Sequence, residues 1–311
     1  MDKLSVVNQI TRKYPNFFIE KIEFLGSGFD SEAFLINQFY VFKFPRHQKA
    51  AKNLYKEALI LKEIKGQVPL KVPDICFVGE SDALNELQFV GYEKIEGVPL
   101  DAEILATLTK ERKDKLAKEL AAFFKALHGI DLSITIEGLK VEKKNKAKHE
   151  YKVIKENAYP FLKNSVKNQI DKVYQRLLNQ EFHDKNCLIH NDFGASNVYY
   201  DLSTNEINGV IDFGDSAIYD RDMEFVCLMY DYEEGFDQEF VQKLIDYYGV
   251  DSASLINKFN FTGFYNQLEN IYLGKEFEMK ELLDESIHSI QKGIEGYEEN
   301  MLREDKTKYY L

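Results

Sequence analysis

A dense group of polar residues stands between two apolar segments in CLIHNDFGASNVYYD, at residues 187–201. Asp192 follows His190 in the pattern H-x-D and precedes Asn197 in the pattern D-x-x-x-x-N. A second carboxylate, Asp212, ends the apolar segment of VIDFGDS. Asp192 alone would be typical of a turn or a helix N-cap, but polar residues grouped at strand ends usually do chemistry or hold a backbone that does.

The chemistry that fits these three residues is phosphoryl transfer from a nucleotide. Such a reaction needs a carboxylate that orients the acceptor hydroxyl or accepts its proton, and an amide oxygen and a second carboxylate that hold Mg²⁺ against the phosphates. Asp192, Asn197 and Asp212 occur in the order in which kinase motifs place these roles. The stretch therefore predicts a magnesium-dependent kinase site.

The residues that bind the nucleotide are expected upstream. In FLGSGFDSEAFLI, Ser27 and Gly28 belong to a turn whose backbone can approach phosphates, although Ser31 replaces the third glycine of G-x-G-x-x-G and a plain hairpin would look the same. Lys43, in the apolar strand YVFKFP, is expected to reach the phosphates, with Glu57 on the next helix as its ion-pair partner. The alternatives are a solvent-facing lysine and a surface acid.

The elements that must position these residues follow from periodicity. Residues 20–44 alternate as strands around a turn, and residues 52–64 have helical spacing. Two further strands are predicted at residues 71–80 and 87–97. The N-terminal part therefore predicts a small sheet with one main helix.

From residue 100 onward the pattern is mostly helical, with short strands within residues 187–213. The lysines of a basic helix at residues 140–162 are expected to form a solvated face. We therefore expect an α+β fold in three parts. These are a nucleotide-binding lobe at residues 1–93, a linker at 94–100, and a helical lobe at 101–311 that carries the catalytic loop and the acceptor site.

Composition excludes several functional classes. A net charge of −12 disfavours a nucleic-acid partner. No run of 18 apolar residues predicts a membrane-spanning helix, and the N-terminus does not resemble a secretory signal. The three cysteines are far apart and without zinc spacing, which predicts reduced core thiols in a cytoplasmic protein.

The motifs together resemble the protein-kinase-like, bilobal fold of antibiotic kinases, and they are most similar to the aminoglycoside 2''-phosphotransferase family. The resemblance is carried by VFKFPRH, KIEGVPL, LIHNDFGASNV, GVIDFGDSAIYDRDMEF and IYLGKE. It implies transfer of the γ-phosphoryl group of a nucleoside triphosphate to an aminoglycoside hydroxyl, with Mg²⁺ as cofactor. It also implies that Asp192 is the catalytic base and that Tyr92, Glu93 and Ile95 form a hinge that reads the purine.

Two departures separate the chain from protein kinases. Asn191 stands where H-R-D has its arginine, and no A-P-E follows Asp212. There is no room for a long activation segment before the next helix. The sequence therefore favours a small-molecule kinase that is not gated, acting as a monomer.

The acceptor site is expected in the acidic stretch YDYEEGFDQEF. A carboxylate cluster would complement a polycation such as an aminoglycoside, whereas acids are also common at a helix start. The resemblance places Glu233 and Glu234 at such a site, and Asp192 would also touch the acceptor. Further candidates, weaker in their support, are Asp215, Asp231, Glu269 and Tyr265, the last of which could equally be a core aromatic.

The donor is expected to be GTP in preference to ATP, because the phenol of Tyr92 would narrow the inner corner of the purine pocket. Two alternatives to an aminoglycoside kinase stay open. One is a kinase of another small metabolite such as choline, homoserine or a macrolide. The other is an inactive kinase-like binding module, which the complete set of chemical residues disfavours.

Overall fold

The computed structural model describes residues 1–28, 30–80, 87–132, 134–179, 186–229 and 235–302. The chain divides into two compact units. The first unit consists of Met1–Lys140, Cys187–Ile218 and Cys227–Gly249, and the second of Val141–Asn186, Tyr219–Val226 and Val250–Leu311. Because this division runs through the C-terminal part of the chain, the expected lobe boundary at residues 94–100 stays a prediction.

The described residues form helices and strands in the following order. The N-terminal elements are α1 (Lys3–Lys13), β1 (Ile22–Ser27), β2 (Ser31–Ile36), β3 (Tyr40–Pro45), α2 (Gln48–Ile64), β4 (Ile75–Glu80), β5 (Leu87–Glu93), β6 (Val98–Pro99), α3 (Ala102–Thr107) and α4 (Lys110–His128). Then come α5 (Lys143–Asn157), α6 (Asn164–Asn179), β7 (Asn186–Ile189), β8 (Val198–Asp201), β9 (Glu206–Val210), β10 (Ala217–Asp220), α7 (Asp222–Leu228), α8 (Gln238–Tyr248), α9 (Ser252–Glu276) and α10 (Lys280–Leu302).

An antiparallel sheet with the strand order β1-β2-β3-β5-β4 dominates the N-terminal part of the first unit. Alternation along β3 gives its two faces different tasks. Phe42 and Phe44 are buried in an aromatic core with Phe34 and Phe89, which α1 covers with Val6 and Ile10. Val41 packs on the other face with Leu35 and Tyr92. Lys43, two residues after Val41, shares that second face.

Helix α2 is longer than expected and begins at Gln48, where the side chain of His47 accepts a hydrogen bond from the Ala50 amide. Its apolar face packs on β5 through Leu54 and Ala58, which contact Val90. This packing fixes the helix against the sheet. Lys56 and Glu57 are not part of this apolar contact, so their side chains are available to bond other segments. A smaller sheet, with the strand order β6-β8-β9, pairs Val98–Pro99 with the two strands that come after Asp192 and Asn197.

The cysteines depart from expectation. All three are free thiols, as expected, but Cys76 is exposed and Cys187 and Cys227 are only partly buried. The prediction of core cysteines is therefore wrong, most clearly for Cys76. In β4 this residue alternates with the inward-facing Phe77, so the apolar context did not indicate which face it occupies.

In the second unit, helices α5, α6, α9 and α10 share a core that includes Ile154, Ile170, Tyr174, Leu268 and Ile271. Among the described residues, no helix combines the length and the apolar character that a membrane crossing needs.

A buried charge cluster lies beside this core. The Nζ atom of Lys143 is 2.7 Å from Asp220 Oδ2, and Lys258 Nζ is 2.6 Å from the same oxygen and 2.8 Å from Asp222 Oδ2. The expectation that the lysines of the basic helix form a solvated face is thus wrong for Lys143, which is only 7% exposed. Two carboxylates that must be neutralised inside the fold account for its burial.

We expect Lys258→Met to lower the free energy of unfolding by about 3–5 kcal/mol, because it leaves Asp220 and Asp222 buried without one of their cations. Lys152→Met removes a lysine from an exposed ion pair with Glu156 and should cost less than about 1 kcal/mol. Urea denaturation of both variants measures the difference. Equal effects would contradict the interpretation that the cluster is a buried electrostatic unit.

Candidate active site

The loop at residues 190–197 joins β7 to β8 and bears Asp192, the expected catalytic residue. Hydrogen bonds to the segment that follows β9 hold this loop in place. His190 is fully buried, and its Nε2 atom is 2.9 Å from the Ile211 carbonyl oxygen, on the segment that leads to Asp212. The Ile211 amide in turn donates to the Asn197 carbonyl at 2.9 Å. Asn197 Nδ2 donates to the Asp192 carbonyl at 2.8 Å. These bonds hold Asp192, Asn197 and the segment that carries Asp212 together. Asp192 is exposed.

The expected partner of Lys43 is confirmed by geometry. Lys43 Nζ donates to both carboxylate oxygens of Glu57, at 3.1 and 3.2 Å, and to Asp212 Oδ1 at 2.9 Å. Lys43 is 9% exposed and Glu57 is 3% exposed. The alternatives of a solvent-facing lysine and a surface acid are therefore wrong.

Burial and pairing act on these groups in opposite directions. Burial by itself would lower the pKa of Lys43, but the neighbouring Glu57, Tyr92 and Asp212 raise it above its ordinary value, so the side chain stays charged. Burial raises the pKa of Glu57 against the pull of Lys43. We take Glu57 as ionised because both of its oxygens accept from Lys43. Burial also opposes ionisation of Asp212, but Lys43 more than compensates and lowers its pKa.

Asn197 and Asp212 have the chemistry of a magnesium site. The bond from Asn197 Nδ2 to the Asp192 carbonyl commits the amide nitrogen, which leaves Oδ1 as the atom that can bind a cation. Asp212 is in the left-handed backbone region, at φ 66°, and uses Oδ1 for Lys43. One carboxylate and one amide oxygen suit Mg²⁺, which takes its other ligands from water and phosphates. The described residues contain no cluster of three or more His, Cys, Asp or Glu side chains that could hold a metal.

Ser27 is the last residue of β1, and Gly28 begins the turn to β2. The Gly28 amide donates to the Ser31 carbonyl at 2.9 Å, and Arg46 Nη1 donates to the Gly28 carbonyl at 2.8 Å. A Cβ atom at Gly26 would meet nothing within 4 Å, and one at Gly28 only the Ser31 carbonyl at 3.9 Å. The backbone of this turn therefore has open space beside it, as a phosphate-binding role requires.

Of the expected hinge residues, Tyr92 and Glu93 are the last two of β5, and Ile95 follows the strand. Tyr92 is 5% exposed and pairs with Val41 of β3, while the next residue, Glu93, pairs with Tyr40. The Lys94 amide donates to the Phe39 carbonyl at 2.7 Å, which anchors the hinge to the sheet. Burial raises the pKa of Tyr92, and the Lys43 ammonium is the strongest opposing influence. Because Tyr92 packs with Val41, its side chain lies on the face of the sheet that also carries Lys43.

Sequence reasoning missed Lys56. Its Nζ atom donates to the Ser216 carbonyl, four residues after Asp212, at 3.0 Å.

The acceptor candidates fall into three groups. Asp215 is exposed in the first unit, directly after the D-F-G residues. Tyr265 and Glu269 lie one turn apart on α9 in the second unit, where the Tyr265 hydroxyl donates to Glu269 Oε1 at 3.1 Å. Asp231, Glu233 and Glu234 lie outside the described residues.

Two other acids of the same stretch have ordinary structural roles. Asp237 is the N-cap of α8, accepts from the Phe240 amide at 2.8 Å, and pairs with Lys113 at 2.9 Å. Glu239 lies in the first turn of that helix. For these two residues, the alternative of acids at a helix start is confirmed.

The model of the phosphotransferase enzyme family, APH, matches residues 21–256. The chain belongs to this phosphotransferase family. Similar solved structures include the GDP and kanamycin complex of an APH(2") enzyme, which is 29% identical with a TM-score of 0.75 over 93% of this chain and 98% of that chain. The ADP-bound aminoglycoside phosphotransferase APH(2'')-Ib is 25% identical, with a TM-score of 0.78 over 93% and 97% of the two chains.

A macrolide 2'-phosphotransferase, MphH from Brachybacterium faecium, is 11% identical, with a TM-score of 0.64 over 91% of this chain and 97% of that chain. That likeness concerns the fold alone. Together these similarities confirm the protein-kinase-like α+β fold of this phosphotransferase, with its N-terminal sheet and helical C-terminal part.

In this phosphotransferase, we expect Asp212→Ala to raise the Mg²⁺ concentration needed for nucleotide binding about tenfold or more, because a carboxylate ligand is lost. Binding of a fluorescent nucleotide, titrated at several Mg²⁺ concentrations, measures the effect. Asp201→Ala is the matched control, since Asp201 accepts from Ser203 in the turn after β8. An unaltered Mg²⁺ dependence in Asp212→Ala would show that Asp212 is not a metal ligand.

Proposed function

We propose that the chain is a magnesium-dependent kinase that transfers the γ-phosphoryl group of a nucleoside triphosphate to a hydroxyl of an aminoglycoside, the 2'' hydroxyl being the expected one. The observation that carries the proposal is the assembly, within one compact unit, of the Lys43–Glu57–Asp212 network with the loop that bears Asp192 and Asn197. Family membership supplies the reaction class. The kanamycin complex of an enzyme 29% identical to this chain supports the acceptor class.

The side chains have distinct tasks in this reaction. The exposed carboxylate of Asp192 orients the acceptor hydroxyl and takes its proton. The charged Lys43 compensates negative charge on the phosphates, while Glu57 holds it in place. Asn197 and Asp212 would hold Mg²⁺, which supplies charge neutralisation at the phosphates when it is bound.

The acceptor proposal depends on charge. An aminoglycoside carries several ammonium groups, and a net charge of −12 attracts such a polycation over distance. Asp215 is an exposed carboxylate three residues after Asp212. The other acceptor residues that the sequence proposes are Asp231, Glu233, Glu234, Tyr265 and Glu269. Asp237 is not part of that set, because its charge is already balanced by Lys113.

The alternatives have less support. An acceptor with no charge or a single charge, such as a macrolide, homoserine or choline, does not need this excess of acids. An inactive binding module would have no use for the paired Lys43 and Asp212 beside the catalytic loop. A cytoplasmic, monomeric enzyme is the setting that the sequence favours.

A panel of acceptors tests the function. We expect mass spectrometry to find a single added phosphoryl group on kanamycin- or gentamicin-type aminoglycosides and none on choline, homoserine or a macrolide. Fragmentation of the product locates the hydroxyl. Asp192→Ala should lower kcat about 10²–10⁴-fold while it leaves nucleotide binding unchanged. Phosphorylation of a macrolide but of no aminoglycoside would overturn the proposed acceptor class.

We further propose that the donor is GTP in preference to ATP. The buried phenol of Tyr92 lies on the same face of the sheet as Lys43, where it would occupy the inner end of the proposed purine pocket. A base pushed outward by this phenol must pair with the backbone around Glu93 and Ile95. Guanine can do so through O6, N1–H and its amino group, whereas displaced adenine would leave backbone groups unsatisfied at a cost of about 1–3 kcal/mol.

We therefore expect kcat/KM for GTP to exceed that for ATP by about tenfold or more, measured with one good acceptor. Tyr92→Ala should reduce this ratio by opening the inner corner to adenine. Tyr14→Ala, which removes a partly buried tyrosine packed against the aromatic core on the other face of the sheet, is the control for general loosening. Equal use of both donors would refute the preference, and an unchanged ratio in Tyr92→Ala would refute its mechanism.

A further inference from the structure

The turn after D-F-G is held by side chains from two other parts of the first unit. The Asp215 carbonyl accepts from Asn191 Nδ2 at 3.1 Å, and the next carbonyl, that of Ser216, accepts from Lys56 Nζ at 3.0 Å. Asn191 belongs to the catalytic loop and Lys56 to helix α2. Two consecutive peptide groups therefore connect the catalytic loop and α2 to the segment that follows Asp212.

Helix α2 reaches this segment at two consecutive positions. Glu57 acts through Lys43, which bonds Asp212, and Lys56 bonds Ser216 directly. Consecutive side chains on a helix point about 100° apart. The two residues therefore hold the segment at separate points, one on each side of Phe213 and Gly214, which opposes rotation as well as translation of α2.

The surroundings of Lys56 strengthen its bond. The residue is partly buried, and burial lowers its pKa against the attraction of the Asp215 and Glu57 carboxylates. Its ammonium group is therefore partly removed from water, and the bond to the Ser216 carbonyl compensates part of that cost. A charged donor in such surroundings makes a stronger bond than a neutral one.

Asn191 holds an unusual backbone. Its φ of 68° lies in the left-handed region, which residues other than glycine seldom adopt, although asparagine tolerates it better than most. Its carbonyl is 3.7 Å from the Cys227 Sγ atom of α7. This backbone conformation directs the side-chain amide of Asn191 toward the Asp215 carbonyl. It also sets the direction in which the chain continues to Asp192. A glycine would adopt the same φ at no steric cost but could not donate to Asp215.

We propose that Lys56 and Asn191 are positioning residues that lock α2 and the catalytic loop to the turn at residues 214–216. The lock keeps the Lys43–Glu57 pair and Asp212 assembled in the free enzyme, without a modification or a partner. The lock thereby keeps these residues in place without a long activation segment, for which this sequence has no room. The proposal rests on the kinase function proposed above.

The first test compares substitutions one turn apart on α2. Lys56→Met should lower kcat about ten- to a hundredfold, leave the KM for the acceptor unchanged, and increase amide hydrogen exchange in residues 48–64. Lys56→Arg, which keeps the charge and the donors, should restore most of kcat. Lys52→Met is the control, because Lys52 is exposed on the same helix, and it should change neither quantity.

The outcomes separate this proposal from its competitors. If Lys56→Met raised the KM for the acceptor at unchanged kcat, Lys56 would be a substrate contact and the lock would be refuted. Unchanged kcat and unchanged exchange would also refute it. If wild type phosphorylated no aminoglycoside, the proposed function would fail, but hydrogen exchange and Mg²⁺-nucleotide affinity of the variants would still decide whether the lock exists.

The second test uses two asparagines with left-handed backbones. Asn191→Gly keeps the backbone accessible and removes the bond to Asp215, so kcat should fall about tenfold without loss of thermal stability. Asn205→Gly makes the same change in the turn between β8 and β9, where φ is 56° and the side chain accepts from the Tyr200 hydroxyl. It should leave kcat unchanged. Equal effects of the two variants on kcat would refute a specific role for Asn191.

Discussion

The buried ammonium of Lys43 is the interaction on which the site depends. A charge in a position that is 9% exposed is stable only if opposite charges come to it, and two carboxylates do, from α2 and from the segment after β9. Glu57 and Asp212 are 155 residues apart in sequence. The need to neutralise one lysine therefore fixes the strand, the helix and the segment that bears Asp212 against one another.

The sheet makes this burial possible because its two faces do different work. One face is filled by aromatic side chains such as Phe42 and Phe44, with α1 packed over them. The other face carries Val41, Lys43 and Tyr92, which are also buried. On this face, Lys43 meets the carboxylates of Glu57 and Asp212. The aromatic face holds the sheet to α1, so the opposite face is available to carry a charge and a phenol.

Acidic residues in this protein show how poorly charge alone indicates a role. Asp220 and Asp222 serve a buried cluster with Lys143 and Lys258, and Asp237 caps a helix. Asp212 instead accepts a hydrogen bond from the buried Lys43. Each role is decided by which cation or amide lies nearby, and that depends on packing between segments far apart in sequence.

The sequence by itself determined the chemical constellation. Asp192, Asn197 and Asp212 lie within a short stretch, and Lys43 and Glu57 follow one another on a strand and its helix, so local spacing was enough. It also predicted α2 and the strands of the main sheet, because their apolar periods are regular. The N-terminal helix α1 was not predicted, although its two buried residues, Val6 and Ile10, have the i, i+4 spacing of a helix.

Only the tertiary structure decided which polar groups meet. The bonds of Lys56 to Ser216 and of Asn191 to Asp215 join segments whose separation leaves no periodic signal. The same holds for Lys143. Its sequence context predicts a solvated lysine, and only the fold places Asp220 beside it. A hydrogen bond to a backbone carbonyl requires no particular residue type at the accepting position. The sequence therefore could not reveal these contacts, whereas it did reveal the residues whose chemistry allows few substitutes.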